Sequence, residues 1–166
     1  VLAPEQIEAA NNLGVALLDK GQVGEAAAVL RSLTEDGRGG AEVFSNLGNA
    51  LVKLGDTEGA DSAYDQALAL GPNPGIRIKR ALLLPVISAS VGSMQVARFD
   101  FEQRVDALIK EPLQLVDPFD EVGVPTFNLS YQEHNNRDLL AKLSDMYLAA
   151  CPSLEFVAPH CADPPL

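Results

Sequence analysis

Residues 41–74 read AEVFSNLGNALVKLGDTEGADSAYDQALALGPNP, and this stretch decides the fold of the chain. Its apolar residues recur three and four positions apart in two blocks, which is the spacing of two amphipathic helices. Gly48 has no Cβ, so the second helix can approach the first closely there. Gly55 is placed to end the first helix in a left-handed conformation, and Asp56 to cap the second. Pro72 then stops the second helix, and the stretch predicts a helical hairpin.

The same pattern begins 34 residues earlier, near Ile7. The matching positions at this fixed offset are Leu13 with Leu47, Gly14 with Gly48, Leu17 with Leu51, Gly21 with Gly55, Ala26 with Ala60, and Leu30 with Tyr64. A helix-turn-helix unit of this length is the signature of the tetratricopeptide repeat. The sequence therefore predicts an all-α fold: a right-handed α-solenoid of two tetratricopeptide hairpins, 7–40 and 41–74, within residues 5–74, followed by additional capping helices.

Two hairpins are fewer than the roughly three that normally form a stable stack. The remaining residues must supply the missing cap, or a second copy of the chain must, or the chain is a fragment of something longer. Because an uncovered apolar edge favours self-association, we expect a homodimer.

Beyond residue 74 the period of the repeat is lost. Residues 75–111 are predicted to contain a degenerate third repeat, which Pro85 breaks, and a long capping helix from near Ser93 to Lys110. The apolar stripe of that helix is predicted to be Val96, Phe99, Val105, Leu108 and Ile109.

Residues 112–166 are predicted to form a loop, a final helix and a proline-rich linker. Asn135 or Asn136 is placed to cap the final helix. The face predicted to be apolar is Leu139, Leu140, Leu143, Met146 and Tyr147.

The chain is acidic, with a net charge of −11 over 166 residues. Because no basic stripe offsets phosphate charge, the composition argues against nucleic acid and anionic membranes as partners and slightly favours basic or neutral polypeptides. The longest apolar run, residues 81–89, contains a proline and is far shorter than the ~20 residues of a membrane span. No signal segment is recognisable at the start, so we expect a cytoplasmic protein.

The sequence has no recognisable catalytic motif, neither a glycine-rich phosphate loop after a strand nor a Gly-x-Ser-x-Gly elbow. His134, Cys151, His160 and Cys161 are the residues that suggest a soft-metal site, but they lack the short CxxC spacing of zinc sites. Buried or incidental thiols are the favoured interpretation, and a disulfide is disfavoured in a reducing compartment. We expect neither a metal nor a cofactor.

Asn12 and Asn46 occupy equivalent positions in the two first helices, and Asn49 follows Gly48. An amide both donates and accepts hydrogen bonds, so a column of asparagines can pair with the backbone of an extended peptide. These three residues are the candidate peptide-binding residues of the concave repeat surface, with Asn49 the weaker candidate. The alternative is that the amides are solvated or bond locally within their helices.

Four segments of the chain carry a more specific pattern: RALLLPVI at 80–87, DPF at 117–119, FNLSYQEHNNRDL at 127–139, and the tail 150–161, in which ACPSL is followed by APHC. They resemble the region that joins repeats to catalytic domain in bacterial SPINDLY-type glycosyltransferases, which are similar to the eukaryotic O-linked N-acetylglucosamine transferase. The resemblance implies a two-lobed nucleotide-sugar transferase beginning just after APHC, so the catalytic lobes would be absent from this chain. It also implies that Asn12 and Asn46 belong to an asparagine ladder that holds protein substrates.

Two hypotheses follow. In the first, the chain is the substrate-recognition arm of a protein O-glycosyltransferase. In the second, it is a free-standing tetratricopeptide adaptor that binds partner peptides or dimerises, without enzymatic activity. The linker-like segment from Leu113 to Cys161 favours the first.

Overall fold

The structure, a computed structural model, describes residues 4–35, 39–123, 126–132, 134–156 and 158. These residues form helices and loops without a strand, which confirms the predicted all-α helical-repeat solenoid. The α-helices are α1 (Pro4–Asp19), α2 (Val23–Glu35), α3 (Ala41–Leu54), α4 (Thr57–Leu70), α5 (Pro74–Ala81), α6 (Val91–Leu108), α7 (Pro118–Glu121) and α8 (Arg137–Ala150). Short 3-10 helices at Phe127–Gln132 and Pro152–Glu155 flank α8. None of the described helices is long and apolar enough to cross a membrane.

The turns of both predicted hairpins, α1 with α2 and α3 with α4, form as the sequence indicates. Gly21 and Gly55 adopt the left-handed conformation, with φ of 75° and 80°. Asp56 caps α4, since its Oδ1 accepts a 2.9 Å hydrogen bond from the backbone N–H of Gly59. The residue types at the turns therefore set where each helix ends and the next begins.

The close approach predicted at Gly14 and Gly48 is confirmed. A Cβ placed on Gly48 would lie 2.5 Å from the ring of Tyr64, and one on Gly14 would lie 2.8 Å from the side chain of Leu30. Both facing side chains are almost completely buried. The two hairpins thus use the same contact, with an aromatic ring in one and an aliphatic chain in the other.

The buried side chains form two clusters. The hairpin core consists of residues from α1 to α4 together with Ile76 and Leu83. The C-terminal core contains Ile78, Ala81, Leu82 and Leu84 together with buried residues of α6, α8 and the loops between them, such as Phe101, Leu129 and Leu143. Helix α5 and the segment that follows it contribute to both.

Helix α5 ends at Ala81, before the predicted break at Pro85. The next three residues, 82–84, are all buried leucines, and they alternate between the clusters. Leu83 lies in the hairpin core, whereas Leu82 and Leu84 lie in the C-terminal core.

The apolar stripe predicted for α6 is partly wrong. Val96, Phe99 and Ile109 are exposed by 61%, 62% and 42%. The buried face is instead formed by Phe101, Val105 and Leu108, which recur four and three residues apart and pack in the C-terminal core. The helix begins at Val91, near the predicted Ser93, and its N-cap Ser90 forms a capping box with Ser93 in the first turn.

Helix α8 buries Leu139, Leu143, Met146 and Ala150, whereas Leu140, predicted on the same face, is 45% exposed. Asn136 is the N-cap residue, as one of the two predicted candidates, and the preceding Asn135 accepts a 3.0 Å hydrogen bond from the N–H of Arg137. Residues 159–166 of the predicted linker lie outside the described residues.

Candidate peptide-binding site

A groove of about 360 Å³ runs across the first helices of successive hairpins. We call it the first-helix groove. The polar side chains that line it are Asp19 of α1, Asn46, Asn49 and Lys53 of α3, Tyr64 of α4, and Lys79 of α5. Val122 and Gly123, which follow α7, also lie along it. The groove therefore combines side chains that are far apart in sequence.

Asn49 is positioned by Tyr64. The hydroxyl of Tyr64 donates a 2.9 Å hydrogen bond to Oδ1 of Asn49, and Gly48 makes this possible because it admits the ring against α3. Burial raises the pKa of Tyr64 far above its ordinary value, so the hydroxyl stays protonated and remains a donor. The bond uses the carbonyl oxygen of the Asn49 amide and leaves its NH2 group for other partners.

Asn46 is positioned by the neighbouring hairpin. Its Nδ2 donates a 3.0 Å hydrogen bond to Oδ1 of Asn11 on α1. Asn11 in turn donates from Nδ2 to Oε1 of Glu42, at 2.9 Å. The Asn46 amide therefore keeps its carbonyl oxygen for other partners, while that of Asn11 is engaged on both sides.

Asn12, the third candidate residue, is exposed on α1 and does not line the first-helix groove. The structure thus brings Asn46 and Asn49 together and places Asn12 apart from them. Asn11, which the sequence comparison passed over, is 4% exposed and links α1 to α3. Asn11 is equivalent to Ser45 in the second repeat, and both are buried. Polar residues at the same position of both repeats were therefore the sequence signal that could have identified Asn11.

The charges of the groove are mixed. Lys53 and Lys79 line it together with Asp19, and a second pocket beside Lys79 is lined by Glu42 and Glu121. Burial lowers the pKa of Lys79, because the ammonium group loses water there. Amides, ammonium groups and apolar side chains can bind a polypeptide backbone.

A larger cleft of about 610 Å³ separates α6 from α4 and α5. Two of the arginines that line it hold neighbouring helices and loops together. Arg80 forms ion pairs with Asp61 and Asp65 of α4, and Arg104 donates a 2.6 Å hydrogen bond to the backbone oxygen of Leu83. These contacts attach α5 and α6 to the hairpins.

No group of three or more His, Cys, Asp or Glu that could hold a metal ion occurs among the described residues. Cys151 is buried after α8, and its Sγ lies 3.1 Å from the hydroxyl oxygen of Ser153. His160 and Cys161, two of the four residues considered for a metal, lie outside the described residues.

The tetratricopeptide-repeat family model matches residues 41–74. Over 70 residues the chain is 33% identical to Protein FlbA of Caulobacter vibrioides, and this stretch covers 42% of the chain and 12% of that protein. The match thus spans about an eighth of the length of this curated relative. No solved structure matches the chain. Residues 41–74 form a tetratricopeptide repeat, a helical hairpin that serves protein–protein interaction.

Proposed function

We propose that the chain binds an extended segment of a protein partner in the first-helix groove. The observation that carries the proposal is the pair of amides in that groove. Asn46 and Asn49 lie one helical turn apart on α3, and the hydrogen bonds of the fold use the donor of one and the acceptor of the other. An acceptor at Asn46 and a donor at Asn49 are left for a ligand.

A peptide unit offers one N–H and one C=O, which matches these two groups. Recognition through the backbone tolerates many side chains, so the partner is selected mainly by its ability to present an extended segment. The mixed charges of Asp19, Lys53 and Lys79 give no strong preference for one sign. We therefore expect binding of neutral as well as charged sequences.

The test starts from a displayed library of random peptides selected on this chain. One selected peptide, labelled with a fluorophore, is then titrated by fluorescence anisotropy against the native chain and its variants. Asn46→Ala and Asn49→Ala are each expected to weaken binding about tenfold, which corresponds to ~1.4 kcal/mol for a lost hydrogen bond.

One control accompanies this titration. Asn12→Ala changes an exposed amide that does not line the groove. It is expected to bind within about twofold of the native chain. Unchanged affinity in Asn46→Ala and Asn49→Ala, with each variant folded by circular dichroism, would show that the groove is not the binding site.

We further propose that the chain is the substrate-recognition arm of a larger, cytoplasmic protein O-glycosyltransferase. The resemblance of residues 80–87, 117–119, 127–139 and 150–161 to the joining region of SPINDLY-type transferases supports this. In this proposal the first-helix groove holds the acceptor protein, and the transfer chemistry belongs to lobes beyond this chain.

The intact mass of the native polypeptide, detected with an antibody to this segment in fractionated source cells, tests the proposal. A species several hundred residues longer, in the cytoplasmic fraction, that transfers sugar from a nucleotide sugar to proteins would support it. A native mass near 17.6 kDa would favour the free-standing adaptor instead.

Self-association of the isolated chain is a separate proposal. An apolar groove of about 870 Å³ beside α8 is lined by Phe119, Tyr147, Leu148 and Leu154. Phe119 is 82% exposed, and a second copy would cover it. Light scattering at tens of micromolar is expected to give the mass of a dimer, and Phe119→Ser the mass of a monomer. A monomeric native chain would contradict the proposal.

A further inference from the structure

The exposed side of α1 repeats the sequence and register of a surface that is covered on α3. The equivalent pairs are Glu8 with Glu42, Ala9 with Val43, Asn12 with Asn46, Leu13 with Leu47, and Ala16 with Ala50. We call the α1 set the α1 edge. On α3 the three apolar members are 4%, 6% and 0% exposed, whereas Leu13 of the α1 edge is 51% exposed and Ala9 and Ala16 are exposed as well.

The difference follows the helices packed on each hairpin. Each hairpin has a helix on its C-terminal side, α3 for the first and α5 for the second, so that side does not distinguish them. Among the described residues, the α3–α4 hairpin alone has a hairpin packed before it. The burial of Val43, Leu47 and Ala50 beyond that of their counterparts therefore reflects the contact with α1 and α2.

The polar contacts of α3 follow the same register. Glu42 accepts a hydrogen bond from Asn11, and Asn46 donates one to the same amide, at 2.9 and 3.0 Å. Glu8 and Asn12 hold these positions on the α1 edge. Glu8 is exposed like Glu42, whereas Asn12 is exposed and Asn46 is half-buried. The edge thus offers the acceptor, the donor and the apolar contacts that α3 uses to bind a hairpin.

We propose that the α1 edge is the docking surface for a further tetratricopeptide hairpin, one that lies N-terminal to α1 in the same polypeptide. Its first helix carries an amide or an equivalent polar side chain at the position of Asn11, and this group bonds to Glu8 and Asn12. An apolar side chain about the size of leucine, on its second helix, covers Leu13.

The described part of a second copy of this chain does not offer the surface that the α1 edge requires. The surface that receives Glu42 and Asn46 surrounds Asn11, and Asn11 is already buried against α3. On the far side of the second hairpin, α5 is packed against α4. The complementary surface must therefore come from another hairpin.

The experiment duplicates residues 7–40 in tandem before Ile7. An insertion of 34 residues keeps the register of the repeat, so the copied Asn11 faces the original Glu8 and Asn12. Thermal unfolding followed by circular dichroism is expected to show a Tm at least about 5 °C above that of the native chain, since a stack gains an interface with each added unit.

Leu13→Asp at the original position is the matched variant. In the native chain Leu13 is half exposed, so the substitution is expected to shift Tm by no more than about 2 °C. In the duplicated chain it is expected to abolish the gain. An unchanged Tm on duplication, or equal shifts from Leu13→Asp in both chains, would overturn the proposal. A dimer of the native chain that Leu13→Asp converts to a monomer would also overturn the proposal, because a second copy would then occupy the α1 edge.

A second measurement does not depend on how well the duplicated chain folds. Amide hydrogen exchange of residues 9–17 is compared between this chain and the native polypeptide purified from its source. Stronger protection in the native polypeptide is expected if a preceding hairpin covers the α1 edge. Equal exchange in the two samples would overturn the proposal.

Discussion

The hydroxyl of Tyr64 on α4 donates a 2.9 Å hydrogen bond to Oδ1 of Asn49 on α3. This bond connects the interior of the second hairpin to the first-helix groove, because Tyr64 is almost completely buried and the half-buried Asn49 lines the groove. The first hairpin has no such connection, since Leu30 occupies the equivalent position. The orientation of the groove amide is therefore a property of the second repeat alone.

Tyr64 makes the stability of the chain sensitive to alkaline pH. Burial raises its pKa in the folded state, whereas in the unfolded state the pKa is about 10. Above pH 10 the unfolded chain releases this proton and the folded chain keeps it, so the free energy of unfolding falls, by up to ~1.4 kcal/mol per pH unit from this group. Urea unfolding of the native chain and Tyr64→Phe from pH 8 to 11.5 is expected to show the steeper fall in the native chain. Parallel curves would contradict this.

The contact between Gly48 and Tyr64 leaves no space for a methyl group. Gly48→Ala places a Cβ 2.5 Å from the ring, and the resulting overpacking is expected to lower the free energy of unfolding by about 1–3 kcal/mol. Gly24 is the control, because a Cβ there meets nothing within 4 Å. Gly24→Ala is expected to be neutral or to stabilise α2 by up to about 1 kcal/mol. Urea unfolding measures both, and equal effects would refute the argument.

Asn11 and Asn12 are adjacent in sequence but have different roles. Asn11→Ala removes two hydrogen bonds between the hairpins and is expected to cost about 1–3 kcal/mol of unfolding free energy, because Asn46 and Glu42 lose a buried partner. Asn12→Ala is expected to stay within about 0.5 kcal/mol of the native chain, since this side chain is exposed. Chemical denaturation distinguishes them, and a larger loss in Asn12→Ala would contradict the structure.

The buried face of α6 is tested by two phenylalanines that are two residues apart. Phe101 is completely buried, so Phe101→Ala is expected to destabilise the chain by about 3–5 kcal/mol, or to prevent folding. Phe99 is 62% exposed, and Phe99→Ala is expected to cost less than about 1 kcal/mol. Thermal unfolding of the two variants gives the comparison. A greater loss of thermal stability in Phe99→Ala would instead support the apolar face of α6 predicted from the sequence.

The sequence predicts the hairpins well because their signals are local. Gly21, Gly55 and Asp56 act on the residues next to them, and Gly48 acts on a helix that the same turn brings back. Helix α6 has apolar residues on more than one face, so the choice between Phe99 and Phe101 depends on the C-terminal core, which no local pattern describes.

The candidate site divides in the same way. Asn46 and Asn49 were found because they stand beside a repeat marker, Gly48. Asn11 was not found, because its importance comes from a hydrogen bond to α3 that crosses from one hairpin to the next. A comparison at a fixed offset detects residues with the same neighbours in each repeat, and it passes over a residue whose partner lies in the following unit.

The three leucines at 82–84 have a consequence for how the molecule opens. Because successive side chains enter different clusters, neither cluster can release its part of this segment without disturbing the other. Local unfolding of the C-terminal helices should therefore draw in the hairpins as a single exchange unit. Ligand binding in the first-helix groove would then slow amide exchange in α8, although α8 does not line that groove.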